Sequence, residues 1–283
     1  MEHRYEAIRP NILIMHAEHE SDRPVLAAVA GSRRTLLMDA GNSAKHAGLF
    51  RDELKRRGLR QPDFLALTHW HWDHTFGMAE WNLPSIAHEG TASLLSDLAH
   101  TEWNEAGMAA LVERGIISNQ SVQHIRLEYT DGAPIRLAEP DIRFQGSMTV
   151  DLGGLTCELR HVGGDHSSDS CYLYVKEERV LFLGDALGPA VYGGPRRYTA
   201  DSFLRLLKLA YDYEAEIYIE SHGEPMTAEE FRKELYPWER MAVLSGRCGG
   251  DKETFLRLLA EDLELKELSQ DLIEGVGYFM NGM

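Results

Sequence analysis

The chain has 283 residues, 43% of them hydrophobic, with 29 Lys and Arg against 45 Asp and Glu and a net charge of −16. That length and apolar content build a sizeable core without disulfide or metal staples. The acidic surplus repels phosphate backbones and anionic membrane surfaces, so it disfavours a nucleic-acid substrate. In chain order, the first strand expected is an apolar run at 11–15. A hairpin follows, with runs at 25–30 and 35–38 separated by Gly-Ser-Arg-Arg and closed by Asp39-Ala40-Gly41. A helix is expected over 44–58. Residues 64–67, Phe-Leu-Ala-Leu, are continuously apolar and read as a strand buried on both faces. An amphipathic helix over 91–114 leads into a polar stretch that ends near 130.

Residues 155–162 are the next strand. A second hairpin pairs 171–175 with 180–183 across Lys-Glu-Glu-Arg and ends in Gly184-Asp185. In 201–213, Phe203, Leu204, Leu206, Leu207 and Ala210 recur at helical spacing, and Asp201 is placed to cap the helix. A short strand at 217–219 precedes a helix at 227–236. The remainder is mostly helical, broken at Gly249-Gly250. Alternating strands and helices indicate an α/β architecture. The two similar hairpins indicate two related halves. The expected organisation is a catalytic core over 1–226 with a helical insert near 91–130, and a helical C-terminal appendage of the same domain over 227–283.

Cys157, Cys171 and Cys248 form neither a disulfide framework nor a Cys-x-x-Cys clip. They read as buried free thiols in a reducing compartment. The first residues, Met-Glu-His-Arg-Tyr-Glu, lack the apolar run of a signal peptide, and no stretch approaches the length of a membrane span. A cytoplasmic protein without a membrane partner is expected.

The densest chemistry lies in Thr68-His69-Trp70-His71-Trp72-Asp73-His74, directly after the buried strand at 64–67. Imidazole and carboxylate suit Zn(II), Fe(II) and Mn(II). Four such groups this close do not readily chelate one ion, but they can serve two adjacent ions. The pattern recurs: the strand at 155–162 runs into Gly163-Gly164-Asp165-His166, that at 180–183 into Gly184-Asp185, and that at 217–219 into Glu220-Ser221-His222-Gly223. Four apolar strands thus deliver His or Asp just past their C-terminal ends, where open α/β sheets gather their sites. His88, His124 and His161 have no such partner pattern and read as ordinary polar residues.

His69-x-His71-x-Asp73-His74 resembles the H-x-H-x-D-H motif of the metallo-β-lactamase superfamily. Gly164-Asp165-His166-Ser167 resembles its third-motif histidine, Leu183-Gly184-Asp185 its Gly-Asp motif, and Ser221-His222-Gly223 its last histidine. Met38-Asp39-Ala40-Gly41 looks like its first, buried Asp. The likeness covers roughly 25–225 in the expected order. It implies an αββα four-layer sandwich with two metal ions at one end of the sheets. His69, His71 and His166 would hold one ion, and Asp73, His74 and His222 the other. Asp185 would bridge them, and Asp39 would orient a ligand imidazole, although a turn residue ending a strand explains Asp39 equally well. Zn(II) is the first expectation, with Fe or Mn as alternatives.

In that setting two cations share one water and lower its pKa, which makes hydroxide near neutral pH. Asp73 is the residue placed to pass a proton. No G-x-S-x-G elbow is present for serine chemistry. An Asp at 185 resembles the thioesterase, lactonase and phosphodiesterase branches rather than true β-lactamases. Two departures from the family pattern, Thr75-Phe76-Gly77 after the first motif and Gly164-Asp165 before His166, bear on substrate rather than metal.

The leading expectation is therefore hydrolysis of a small-molecule ester, thioester or lactone, as in the glyoxalase II and lactonase branch. The alternatives are a mononuclear non-haem iron enzyme similar to persulfide dioxygenases, a phosphodiesterase or nuclease, which needs a basic groove, and a binding module that kept the fold. Trp70 and Trp72 either line the site's mouth or pack beneath it. Tyr192, Arg196 and Tyr198, on the Gly- and Pro-rich loop after Asp185, are set against an ordinary solvated loop. The appendage is a surface on which a homodimer can form.

Overall fold

Alternation along the strands sets the layers. In β2 (Ile12–Met15), Leu13 and Met15 join one cluster and Ile12 and Ile14 another. In β3 (Leu26–Ala30), Leu26 and Ala28 likewise oppose Ala27 and Val29. Both faces are apolar, so each must be covered. The computed structural model describes residues 3–283, and Met1 and Glu2, which open the N-terminal stretch read above, lie outside them.

One sheet runs in sequence order: β1 (Tyr5–Arg9), β2, β3, β4 (Thr35–Met38), β5 (Phe64–Ala66), β6 (Ser85–His88) and β7 (Ile142–Phe144). The other runs in reverse: β13 (Met226–Thr227), β12 (Ile217–Glu220), β11 (Val180–Gly184), β10 (Cys171–Val175), β9 (Thr156–His161) and β8 (Ser147–Asp151). Between the sheets, Ile14, Val29 and Met38 meet Leu159, Leu173 and Phe182. Outside the first sheet lie α1 (Ala44–Arg56), the short α2 (Trp72–Thr75) and α3 (Met78–Trp81), then α4 (Glu89–Leu98), α5 (Glu105–Glu113) and α6 (Asn119–Glu128). Outside the second lie α7 (Ala200–Asp212), α8 (Ala228–Ser245), α9 (Lys252–Asp262) and α10 (Gln270–Asn281). The result is the helix–sheet–sheet–helix sandwich expected. Phe231, Phe255 and Phe279 of the C-terminal helices share one cluster with Tyr172, Leu181 and Tyr218 of the second sheet. No helix among the described residues is long and apolar enough to cross a membrane.

The two hairpins are topological equivalents. β3 and β4 pair antiparallel, α1 crosses over, and β5 adds parallel to β4. β10 and β11 pair antiparallel, α7 crosses over, and β12 adds parallel to β11.

Four local expectations change. The helix expected at 91–114 is two helices, α4 and α5, because Asn104 caps a new start by accepting from the Gly107 amide. The polar stretch before 130 is itself a helix, α6, capped by Ser118. The helix expected at 227–236 continues to Ser245 through Pro237, secured at its start by a capping box between Thr227 and Glu230. Asp201 is not the cap of α7. Thr199 holds that position, with its amide and hydroxyl both donating to Asp165, and Asp201 lies in the first turn, where the helix dipole favours it. All three cysteines are free and buried.

Candidate metal centre

The C-terminal ends of β5, β9, β11 and β12 converge. After β5 the chain passes through His69 and His71, and α2 then carries Asp73 and His74 into the same space. His166 follows β9, Asp185 follows β11, and His222 follows β12. Two close approaches shape this end of the sandwich. Gly184 has φ +57, and a Cβ there would meet Thr68 Cβ at 2.9 Å. A Cβ on Gly77 would lie 2.0 Å from the Ala40 carbonyl oxygen, so the turn after α2 admits only glycine.

The seven residues sort into two groups. His69, His71 and His166 form one, and Asp73, His74, Asp185 and His222 the other, with one donor atom of each within 4.8 Å of the rest of its group. His166 Nε2 lies 2.9 Å from His71 Nδ1. Asp73 Oδ2 lies 2.9 Å from His74 Nε2 and 3.1 Å from His222 Nε2. Asp185 Oδ2 also faces the first group: it is 3.4 Å from His166 Nε2, against 3.4 Å from His222 Nε2 and 3.5 Å from His74 Nε2 in its own.

The opposite ring nitrogens are anchored, which decides which nitrogen faces inward. His74 Nδ1 donates to Asp39 Oδ2 at 2.8 Å. The Thr68 hydroxyl donates to Asp39 Oδ2 at 2.9 Å and so accepts from His69 Nδ1 at 3.1 Å. His166 Nδ1 donates to the Pro189 carbonyl at 3.1 Å. Asp39, at φ +57 on the end of β4, is therefore both a turn residue and the carboxylate that fixes one imidazole. These anchors leave His69 Nε2 fully buried without a hydrogen-bond partner, and turn His74 Nε2 toward the Asp73 and Asp185 carboxylates. An orphaned lone pair of this kind is costly in a dry interior. Aimed at shared points and joined by two carboxylates, the imidazoles fit divalent cations.

Electrostatics treats the two groups differently. Burial pushes His69 and His71 well below the ordinary imidazole range, and lowers His166, so their lone pairs are free for a metal. Burial also acts downward on His74 and His222, but the facing carboxylates outweigh it and raise both. Burial acts upward on Asp185, yet His222 and His74 hold its carboxyl well below the usual range.

The groups open into a cleft of about 380 Å³. Its wall includes Tyr192 and Arg196 of the loop after Asp185, and Ser118, Gln120 and Ser121 at the start of α6. Tyr192 packs its ring 4.5 Å from that of His71 and shares a hydrogen bond of 3.2 Å with Ser121. Arg196 donates to Gln120 Oε1 at 2.9 Å. Trp70 and Trp72 are in the core, packed beneath the centre. Tyr198 is buried as well, with its hydroxyl donating to Leu187 O. His88 and His161 stack on each other at 3.8 Å, away from the cleft.

Two acidic residues escaped the sequence reading. Asp22, on the loop between β2 and β3, faces His222 Nδ1 at 3.7 Å. Ser-Asp-Arg in a loop gives no signal of that role. Glu220 ends β12 and lines the cleft; burial and the Asp185 carboxylate push its carboxyl up to about 7. Its place two residues before His222 was the available clue.

A model of the metallo-beta-lactamase superfamily matches residues 23–222. The atrochrysone carboxyl ACP thioesterase of Passalora fulva is 27% identical over 196 residues, 68% of this chain and 46% of that protein. The human acyl-coenzyme A thioesterase MBLAC2 is 24% identical over 168 residues, 56% of each chain. The chain thus spans about half the length of these curated relatives. Among solved structures, a metallo-beta-lactamase from Pontibacter korlensis superposes with a TM-score of 0.59 at 18% identity, covering 83% of this chain and 98% of that one. The sec-alkylsulfatase Pisa1 from Pseudomonas sp. gives 0.66 at 15% identity, covering 95% and 46%. At such identities these structures speak for the fold alone.

Proposed function

The chain belongs to the metallo-beta-lactamase superfamily, and on that premise we propose that it is a metal-dependent hydrolase of a small-molecule ester, thioester or lactone. The observation that carries the reading is the placement of Asp185 Oδ2 between two complete donor groups, 3.4–3.5 Å from imidazole nitrogens of both. His69, His71 and His166 would hold one divalent ion and Asp73, His74 and His222 the other, with Asp185 shared. The all-nitrogen-and-oxygen set favours Zn(II), with Fe or Mn as alternatives. Bound divalent cations supply Lewis-acid polarisation of an acyl oxygen and lower the pKa of a water molecule.

The protein's part is positioning and proton handling. Asp39, Thr68 and the Pro189 carbonyl fix the imidazole tautomers, so the donor nitrogens are oriented before any ion arrives. Asp73 Oδ2, at the cleft end of α2, is placed to take a proton from a water and return it to a leaving group. Tyr192 packs its ring against His71 on one side of the cleft. Burial raises its phenol, so the hydroxyl that meets Ser121 stays neutral. The thioesterase relatives at 27% and 24% identity support an acyl thioester among the three substrate types.

The alternatives draw less support. A mononuclear iron centre uses one donor group, whereas both are assembled here. A phosphodiesterase needs a basic groove; among the described residues Arg196 is the one Lys or Arg in the lining, set against Asp22, Asp73, Asp185 and Glu220.

The test is Asp185→Asn, assayed with metal analysis against a panel of esters, thioesters, lactones and phosphodiesters. The expected result is a loss of at least about 100-fold in hydrolysis with an unchanged far-UV spectrum, because a neutral amide bridges cations poorly. Full activity in this variant, or a parent chain that takes up no divalent ion, rejects the reading.

A further inference from the structure

The loop between β2 and β3 contacts helix α6 at successive residues. Ser21 Oγ donates to Glu128 Oε2 at 2.8 Å, and Arg23 donates to both Glu128 oxygens, at 3.0 and 2.8 Å. Between them, Asp22 turns the chain at φ +59, a left-handed conformation that Asp tolerates better than most residues. Its carboxylate faces two imidazoles at once. Oδ2 lies 3.1 Å from Nδ1 of His124, and Oδ1 lies 3.7 Å from Nδ1 of His222.

On α6 these contacts fall in one stripe. Ser121, His124 and Glu128 are spaced i, i+3 and i+7, so they share a helix face. Ser121 meets Tyr192, which covers His71. His124 meets Asp22, which stands behind His222. Glu128 receives Ser21, Arg23 and, at 2.5 Å, the hydroxyl of Ser43, the cap of α1. A polar seam along one helix thus reaches residues behind both donor groups.

Imidazoles that bind a metal through one nitrogen usually donate the other N–H to a carboxylate, carbonyl or water. His74, His69 and His166 have such partners already, as described above. For His222 the facing carboxylate is Asp22. We propose that Asp22 is a positioning residue that fixes the ring of His222 and, through His124, couples occupation of the second donor group to the order of helix α6. The inference rests on the two-ion reading above. Coupling between sites is reciprocal: if the second ion orders α6, loosening α6 weakens that ion by the same factor. Because the first turn of α6 lines the cleft, the pocket wall is set partly by metal occupancy.

The test uses zinc as probe. Hydrogen exchange over 119–128 and ion affinity are measured together in the parent, in Asp22→Asn and in His124→Asn. Asn suits the left-handed backbone at position 22, so that variant keeps the turn. The parent is expected to take two ions, with exchange in α6 slowing as the second binds. Asp22→Asn should bind the second ion about 10- to 100-fold more weakly and leave the first unchanged. His124→Asn should shrink the slowing in α6 and weaken the second ion by the matching factor, a smaller loss than in Asp22→Asn. A merely structural role for Asp22 would lower the melting temperature without separating the two affinities. A parent that takes no second ion overturns both the two-ion reading and this proposal. A parent that takes two ions, paired with an Asp22→Asn variant of equal second-ion affinity or with an α6 indifferent to the second ion, overturns this proposal alone.

Discussion

Replacing Glu128 with Ala should cost this fold about 3–5 kcal/mol, the usual penalty for stranding one member of a buried ion pair. The side chains of Glu128 and Arg23 are 1% and 6% exposed. Glu128 accepts two hydrogen bonds from Arg23 and one each from Ser21 and Ser43. Alanine leaves the Arg23 guanidinium and the Ser43 hydroxyl without this acceptor, while Ser21 keeps Glu18 at 3.1 Å. Unfolding entropy of about 2.1 cal/mol/K per residue scales to about 0.6 kcal/mol/K for a chain of this length, so the melting temperature should fall by about 5–8 °C. Scanning calorimetry of the parent and Glu128→Ala measures it. The double variant Arg23→Met with Glu128→Leu should recover most of the loss, since an apolar pair of similar volume replaces a buried ion pair at little cost. A single variant melting within about 1 °C of the parent, or a double variant as weak as the single, would show that water already reaches this pair.

Glu53 predicts a pH dependence. Hydrogen bonds from Arg56, with Arg57 adding, hold its carboxyl at about 2 against an ordinary 4.5, while burial acts the other way. The folded value is the lower one, so the contribution is complete above about 4.5 and is lost as pH falls toward 2. The gap in urea midpoint between the parent and Glu53→Gln should therefore narrow steadily from pH 5.5 to 2.5, and a constant gap refutes it. Arg196 and Arg197 separate the pocket from its loop: only Arg196 lines the cleft. Arg196→Ala should change the ratio of activity on anionic and neutral acyl substrates by about tenfold, the weight of one charge-assisted contact, while Arg197→Ala leaves the ratio and the metal content alone. Equal shifts in both variants would make the loop's net charge, not its contact, the cause.

The inner strands were legible because their residues are apolar on both faces. The runs at 25–30, 35–38, 171–175 and 180–183 correspond to β3, β4, β10 and β11 within a residue. Edge elements were not legible. β8 alternates exposed and half-buried residues, and β1 is mostly polar, so neither carries a strong apolar period. β6, Ser-Ile-Ala-His, is buried but holds only two apolar residues between polar ends, too short an apolar run to stand out. Helix α6 was hidden because its packing face includes Ser121 and Glu128, which bury as a hydrogen-bonded seam rather than as an apolar stripe. The seven donors stood out because each follows a buried strand. Asp22 lies at a turn and acquires its role only when β12 brings His222 beside it.

The donors divide unevenly between the two halves of the sandwich. His69, His71, Asp73 and His74 come from the first sheet's half, and His166, Asp185 and His222 from the second. Neither group of donors closes within one half. The centre is thus a property of the docking of two sheets and has no existence in either alone. On a growing chain the first four donors leave the ribosome well before the last, so no competent centre can form until β12 has been made and has paired with β11. A metal ion that arrives early meets only an open half-shell, and the finished centre reports that both halves have come together in register.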